Sequence, residues 1–251
     1  MLEDRWIYFP SRFPDGDWDF PAAEECVFAA SDGVRLHGWY LRADSDDHVL
    51  YFHGNAGNVT YRREFLERLS LLPTNVLCVD YRGYGKSQGR PSESGLYKDA
   101  DAAYRFLVEE KRVPPERIVL FGKSLGGAVA IELATRVSCA GVVAQSTFTN
   151  GHEMARLKVP WLPLRWLVRN QFDSLSRVRT LRRPKLFLHA TGDELIPFSM
   201  GRRLFDGAAE PKEFFDLGAV GHNDFMQAGQ AYDGALRGFI DECVALRTES
   251  S

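Results

Sequence analysis

No surplus of charge marks this sequence. Its 31 Lys and Arg against 34 Asp and Glu leave a net of −3 over 251 residues, so nothing is available to hold a polyanion, and nucleic acid is excluded as a ligand. Cysteine is rare: Cys26, Cys78, Cys139 and Cys243 lie far apart, three of them inside apolar runs. That is neither a metal-ligand spacing nor the dense framework of a small secreted fold. The four read as buried free thiols of a cytoplasmic chain, with no metal and no cofactor expected. Long apolar runs are missing as well. Nothing approaches the roughly 18 to 20 residues that cross a bilayer, and the first ten residues lack the basic start and apolar middle of a signal peptide, so the chain reads as soluble. Repeats and low-complexity tracts are absent, which leaves the order of elements to carry the fold.

What is present is an ordinary globular composition, 45% hydrophobic, in a length that a single alpha/beta domain spanning residues 1–251 commonly reaches. Short runs rich in beta-branched and aromatic residues recur at 25–30, 34–41, 48–52, 75–80, 117–121, 139–146, 185–190 and 212–217, and read as strands. Helical periods lie between the later runs, at 59–72, 96–111, 125–137 and 225–246, the last with Phe225, Tyr232, Leu236, Phe239, Ile240 and Cys243 on one stripe. This alternation predicts a mostly parallel sheet with helices on both faces. Only Ser31-Asp32-Gly33 separates the first two runs, too short for a parallel crossover, so an antiparallel N-terminal hairpin is expected. The connection 149–184 is far longer than usual and is read as a cap insertion. The densest basic stretch, Arg177, Arg179, Arg182, Arg183 and Lys185, reads as a solvated face, with peripheral membrane contact as the alternative.

The pattern G-x-S-x-G occurs twice, at Gly85-Lys86-Ser87-Gln88-Gly89 and Gly122-Lys123-Ser124-Leu125-Gly126. A nucleophile elbow needs a strand, a sharp turn with small residues and an immediate helix. Ile118-Val119-Leu120-Phe121 runs straight into Gly122, and a helix-forming stretch follows Leu125, so Ser124 fits. No helix begins after Ser87, which reads as a surface or turn hydroxyl in a glycine-rich loop. Both copies contain Gly-Lys-Ser, but Asp80 and Arg117 stand where a phosphate loop has its first glycine. The turn His53-Gly54-Asn55-Ala56-Gly57-Asn58 likewise fails the dinucleotide fingerprint.

A serine hydroxyl needs a base, and the base an orienting acid. In hydrolases of this architecture the chain order is Ser, Asp or Glu, His. Of the histidines after Ser124, His189 lies inside an apolar run and His152 in the insertion. His222, between the last strand and the last helix, is the candidate base. Asp193, following Gly192 at the end of a strand, is the candidate acid, with Glu194 its rival; Asp80 is assigned to tying down the 82–85 loop and Asp224 to helix capping. The oxyanion donors are expected to be the backbone N–H groups of Leu125 and Asn55, with His53 structural.

Taken together, Tyr51-Phe52-His53-Gly54-Asn55-Ala56-Gly57-Asn58, Asp80-Tyr81-Arg82-Gly83-Tyr84-Gly85, Phe121-Gly122-Lys123-Ser124-Leu125-Gly126-Gly127, Gly192-Asp193-Glu194-Leu195-Ile196-Pro197 and Gly221-His222-Asn223-Asp224 resemble the alpha/beta-hydrolase superfamily. More narrowly they are similar to the depalmitoylating and monoacylglycerol-cleaving alpha/beta-hydrolase-domain serine hydrolases. The resemblance spans about residues 25–245. It implies an eight-stranded sheet and cofactor-independent cleavage of a carboxylic ester or thioester. Two departures stand out: residues 1–21 carry neither an anchor nor a cysteine cluster, and His189-Ala190 replaces a common His-Gly.

The insertion contains Val159-Pro160-Trp161-Leu162-Pro163-Leu164-Arg165-Trp166-Leu167-Val168. Trp161 and Trp166 are candidates to line a pocket for an acyl chain, or else they pack the cap onto the sheet. A small acyl ester or thioester is thus the expected partner, and the sequence sets no oligomeric state. A serine aminopeptidase is the main alternative; it needs acids to hold a free amine, and the insertion offers only Glu153 and Asp173. A non-catalytic binding scaffold is the other, and scaffolds commonly lose one of the three residues that are all present here.

Overall fold

The short apolar runs assemble into one mixed sheet. The computed structural model describes residues 7–158 and 170–248, and its strands are β1 (Ala23–Ala29), β2 (Arg35–Leu41), β3 (His48–Phe52), β4 (Asn75–Asp80), β5 (Ile118–Lys123), β6 (Gly141–Gln145), β7 (Lys185–His189) and β8 (Lys212–Asp216). They lie in the order β1-β2-β4-β3-β5-β6-β7-β8. Strand β2 is antiparallel to both its neighbours and every other pairing is parallel. The hairpin forms because Gly33 adopts φ 79° in the tight turn, where Gly33 N–H donates to Ala30 O at 2.8 Å.

Alternation sorts side chains to two cores. Leu50, Phe52, Leu77, Val79, Leu120 and Val142 face helices α2 (Glu93–Arg105), α3 (Leu125–Ala134) and α6 (Phe198–Gly207). Their neighbours Val49, Tyr51, Val76, Cys78, Phe121 and Val143 face α1 (Arg63–Leu69) and α7 (Gly229–Thr248). The central strands are buried on both faces, as a parallel sheet requires. The expected stripe of the last helix is buried from Phe225 to Cys243, and all four cysteines are buried free thiols.

The helices differ in detail from their sequence periods. Asn58 caps a 3₁₀ turn at Val59–Arg62, accepting from Thr60 N–H at 2.9 Å, before α1 begins. Capped by Ser92, α2 begins three residues ahead of the expected start, and a π-helical turn at Phe106–Glu110 ends it. The last period is broken at Gly229 (φ 62°) between a 3₁₀ turn and α7. Helix α6 has no counterpart in the sequence reading. Of the basic stretch, Lys185 is buried, its Nζ donating to Leu181 O at 3.0 Å.

The link between β6 and β7 includes α4 (Gly151–Lys158) and α5 (Ser174–Val178); Trp161 and Trp166 lie outside the described residues. Near the N-terminus, Phe9–Pro10 pairs in parallel with Ala56–Gly57. Because β3 and β5 to β8 all run the same way, the loops after them converge on one edge of the sheet.

Candidate active site

Ser124 ends the turn between β5 and α3 with φ 56° and ψ −118°, a conformation that costs an L-residue about 1–3 kcal/mol. Crowded backbone imposes it. A Cβ on Gly122 would lie 2.0 Å from the carbonyl oxygen of Gly126, and one on Gly126 only 1.9 Å from that of Phe52. Helix α3 can therefore start directly against β3 and β5 only with glycine at both positions. The Ser124 N–H donates to Gln145 O at 2.8 Å and its carbonyl accepts from Gly127 N–H at 3.0 Å, while the residue stays half-buried at the sheet edge. Leu125 is the first residue of α3, so its N–H has no intrahelical acceptor.

The turn after β3 abuts this elbow: a Cβ on Gly54 would touch Ser124 Cβ at 3.6 Å and Lys123 O at 3.7 Å. Asn55 in that turn is held from two sides. Its amide Nδ2 donates to Ile7 O, while the Tyr84 hydroxyl donates to Asn55 O at 2.8 Å and reaches Asn55 Oδ1 at 3.0 Å. His53, fully buried, bonds through Nδ1 to Gly54 O at 2.7 Å, and Tyr81 OH donates to His53 O at 2.9 Å. Burial pushes the His53 imidazole down to about 3, so it stays neutral and structural.

Asp193 and His222 meet. His222 Nδ1 lies 2.8 Å from Asp193 Oδ2, and Asp193 Oδ1 accepts from Leu195 N–H at 3.0 Å and Ile196 N–H at 2.8 Å. Burial alone would raise the Asp193 pKa; the bonds from His222 and Ile196 and the nearby imidazoles outweigh it and hold the carboxyl below its ordinary value. An ionised acid on Nδ1 leaves Nε2 as the free nitrogen of the ring. His189 backs the pair from β7, its Nε2 3.4 Å from Asp193 Oδ2 and 2.9 Å from Ile196 O.

Glu194 serves otherwise: its Oε2 accepts from the His222 backbone N–H at 2.9 Å and does not touch the ring. Asp224 occupies the N-cap position of the 3₁₀ turn Phe225–Ala228, yet its side chain makes no capping bond, contrary to the expectation. Ser87 also departs. It is 7% exposed, donating to Asp80 O at 2.6 Å and accepting from His37 N–H at 2.9 Å. Asp80 departs from its expected role of tying down the 82–85 loop: Oδ1 accepts from Val59 N–H at 2.9 Å and Oδ2 lies 3.3 Å from His37 Nδ1, whereas Arg82 of that loop is held by Asp99, which accepts from its backbone N–H at 2.8 Å and from its Nε at 2.9 Å.

Three contributors escaped the sequence reading: Tyr84, which pins Asn55, and Lys123 with Asn223, joined at 3.0 Å from Nζ to Oδ1. All three stand inside the motifs quoted above, but no local pattern assigns their partners. Among the described residues no group of His, Cys, Asp and Glu could hold a metal ion, and no helix is long and apolar enough to cross a membrane.

Comparison with known proteins adds independent findings. The profile of the Hydrolase_4 family, described as serine aminopeptidase S33, matches residues 43–177. The uncharacterised protein Rv2307c of Mycobacterium tuberculosis is 40% identical over 248 residues, covering 96% of this chain and 88% of that protein. Alpha/beta hydrolase domain-containing protein 17B of Xenopus tropicalis is 32% identical over 246 residues, 95% of this chain and 83% of that one. Among solved structures, the Pyrococcus furiosus esterase Pf2001 superposes with a TM-score of 0.79 at 21% identity, over 93% of this chain and 98% of its own, a likeness of fold.

Proposed function

The chain belongs to the alpha/beta-hydrolase family, and from that premise we propose that it is a serine hydrolase cleaving carboxylic esters or thioesters with Ser124, His222 and Asp193. The observation that carries the reading is the His222–Asp193 bond of 2.8 Å on the edge where the strained Ser124 elbow emerges. In the first half-reaction His222 Nε2 takes the Ser124 Oγ proton as Oγ bonds to the acyl carbon, and the same proton then goes to the departing alcohol or thiol. Water repeats the sequence to release the acid. Negative charge on the former carbonyl oxygen is met by the N–H groups of Leu125 and Asn55. The acyl chain is assigned to the 149–184 connection, with Trp161 and Trp166 as its apolar lining.

The aminopeptidase alternative draws on the description of the matching family. It is disfavoured by the two acids that would have to hold a free amine. Glu153 is bound to Arg203, with Arg203 Nη1 2.6 Å from Oε2, and Asp173 accepts from Ser176 N–H at 3.2 Å as the cap of α5.

A fluorophosphonate probe tests the proposal. Wild-type protein and Ser87→Ala are expected to be labelled and Ser124→Ala not; labelling that survives Ser124→Ala overturns the assignment. A panel of butyryl and decanoyl esters, a thioester and an aminoacyl amide identifies the acyl group. Trp161→Ala and Trp166→Ala should lower decanoyl kcat/KM by about 10 to 100-fold with butyryl turnover nearly unchanged. Equal loss on both esters would retire the acyl-pocket assignment.

A further inference from the structure

The motif Gly122-Lys123-Ser124 carries a buried lysine. Strand alternation turns Lys123 away from helix α3 and towards the α7 face, where it is 5% exposed. Its ammonium donates to Asn223 Oδ1 at 3.0 Å and lies 4.6 Å from the centre of the Phe225 ring. Asn223 follows His222 directly, and Lys123 precedes Ser124 directly. A single side-chain bond thus joins the backbone next to one reacting group to the backbone next to the other, across 100 residues of sequence.

We propose that Lys123 is a positioning residue: through Asn223 it fixes the loop of His222 against the elbow of Ser124, setting the reach from base to nucleophile. This rests on the serine-hydrolase reading above. Among the described residues no other side-chain hydrogen bond joins these two loops so directly. Asp193 orients the His222 ring and Glu194 holds its N–H, but both come from the loop after β7; among the described side-chain hydrogen bonds, that of Lys123 is the one that ties the His222 loop to β5 itself. A bond of this kind matters because misplacing a general base by about 1 Å lowers the rate by up to about 10²-fold.

The charge has a reason to be lysine's. A buried ammonium is tolerable only among compensating groups, and those facing Lys123 are Asp193 and Glu194 from the loop after β7 and Asp224 from the loop after β8, with Arg62 opposing them. Burial is the largest influence and, with Arg62, outweighs the acids, bringing the amine down to about 8. Loss of the proton turns the charge-assisted bond from Nζ to Asn223 Oδ1 into a weaker neutral one. An alkaline fall in turnover near that pH follows from the proposal.

Three variants separate positioning from mere packing. Lys123→Met and Asn223→Leu remove the two ends of the bond while keeping volume, and Asn223→Asp keeps an acceptor. With a butyryl ester, each of the first two should lower kcat by about 10 to 100-fold with KM within about twofold, and slow fluorophosphonate labelling of Ser124 by the same factor. The double variant should be no worse than the poorer single one. Asn223→Asp should recover most of the lost kcat, and Lys123→Met should lack the alkaline fall seen in the wild type. A kcat within twofold of wild type in Lys123→Met, additive losses in the double variant, or the same alkaline fall in wild type and Lys123→Met would overturn the proposal. Should Lys123→Met fail to fold, Asn223→Leu and Asn223→Asp carry the test alone. Failure of the underlying reading looks different, since wild-type protein would then show no Ser124 labelling at all.

Discussion

Two stretches share the same five-residue spacing, yet their glycines do opposite work. In the loop at 85–89 the glycines themselves take the left-handed backbone, with φ 46° at Gly85 and 83° at Gly89, and Ser87 is enclosed by hydrogen bonds to Asp80 and His37. In the elbow neither Gly122 nor Gly126 has positive φ. The left-handed conformation falls on Ser124, and the glycines are there because backbone oxygens stand within 2.0 Å of where their Cβ atoms would be. One loop uses glycine to absorb strain. The other uses it to impose strain on a serine, which presents that serine at the start of a helix. The motif acquires chemistry only from the strand before it and the helix after it.

The largest test of this contrast is at the acid. Asp193→Asn should leave the fold intact and lower kcat by about 10⁴, because the imidazole loses its tautomer and its charge partner. Glu194→Gln, at a carboxylate whose Oε2 accepts from the His222 backbone N–H, should cost far less. A reversal of those two effects in steady-state kinetics would move the acid to Glu194. Next comes the crowding argument. Gly126→Ala sets a methyl 1.9 Å from Phe52 O, rigid backbone that cannot give way, and should destabilise by about 3 kcal/mol or more while removing Ser124 labelling. A melting temperature close to wild type would show that the elbow has room it is argued to lack.

The same distinction explains what the sequence could disclose. Strand, turn and helix at Ser124 are contiguous residues, so their pattern is local and legible, and the same holds for the strand-end turns carrying Asp193 and His222. Ser87 stands in a turn, one of its two expected places, but its burial is hidden from the sequence because its hydroxyl bonds to His37, on a strand 50 residues away. Distance hides Lys123 with Asn223 and Tyr8 with Asn170, the latter 162 residues apart. Helix α6 went unseen for another reason: it starts at Phe198 against Pro197, without a side-chain cap. Its buried residues Met200, Gly201 and Leu204 make only a short stripe among charges.

A smaller effect is expected at the other serine. Ser87→Ala leaves Asp80 O and His37 N–H without the buried hydroxyl that serves both, which should lower stability by about 1–3 kcal/mol. Activity should stay within about twofold. A large loss of kcat without loss of melting temperature would give the Ser87 loop a chemical role and erase the contrast.

The finest test uses pH, because Asp80, which bonds to Ser87, and Asp193, which bonds to His222, are shifted in opposite directions. Burial pushes Asp80 above its ordinary 3.8 despite the bonds from His37 and Val59, whereas the bonds from His222 and Ile196 hold Asp193 below 3.8 against its burial. A raised carboxyl binds its proton more readily in the folded state, so its contribution is complete below about pH 3.8 and is lost as pH rises through the folded value. A depressed one contributes fully above about 3.8 and loses it as pH falls through the folded value. Melting temperatures between pH 3 and 6 should therefore diverge in sign. Relative to Asp193→Asn the wild type should gain stability with rising pH, and relative to Asp80→Asn it should lose it. Asparagine mimics the neutral acid in both places, so each difference isolates the ionised form. Slopes of the same sign would mean that the hydrogen bonds from His222 and Ile196 do not set Asp193 apart from Asp80.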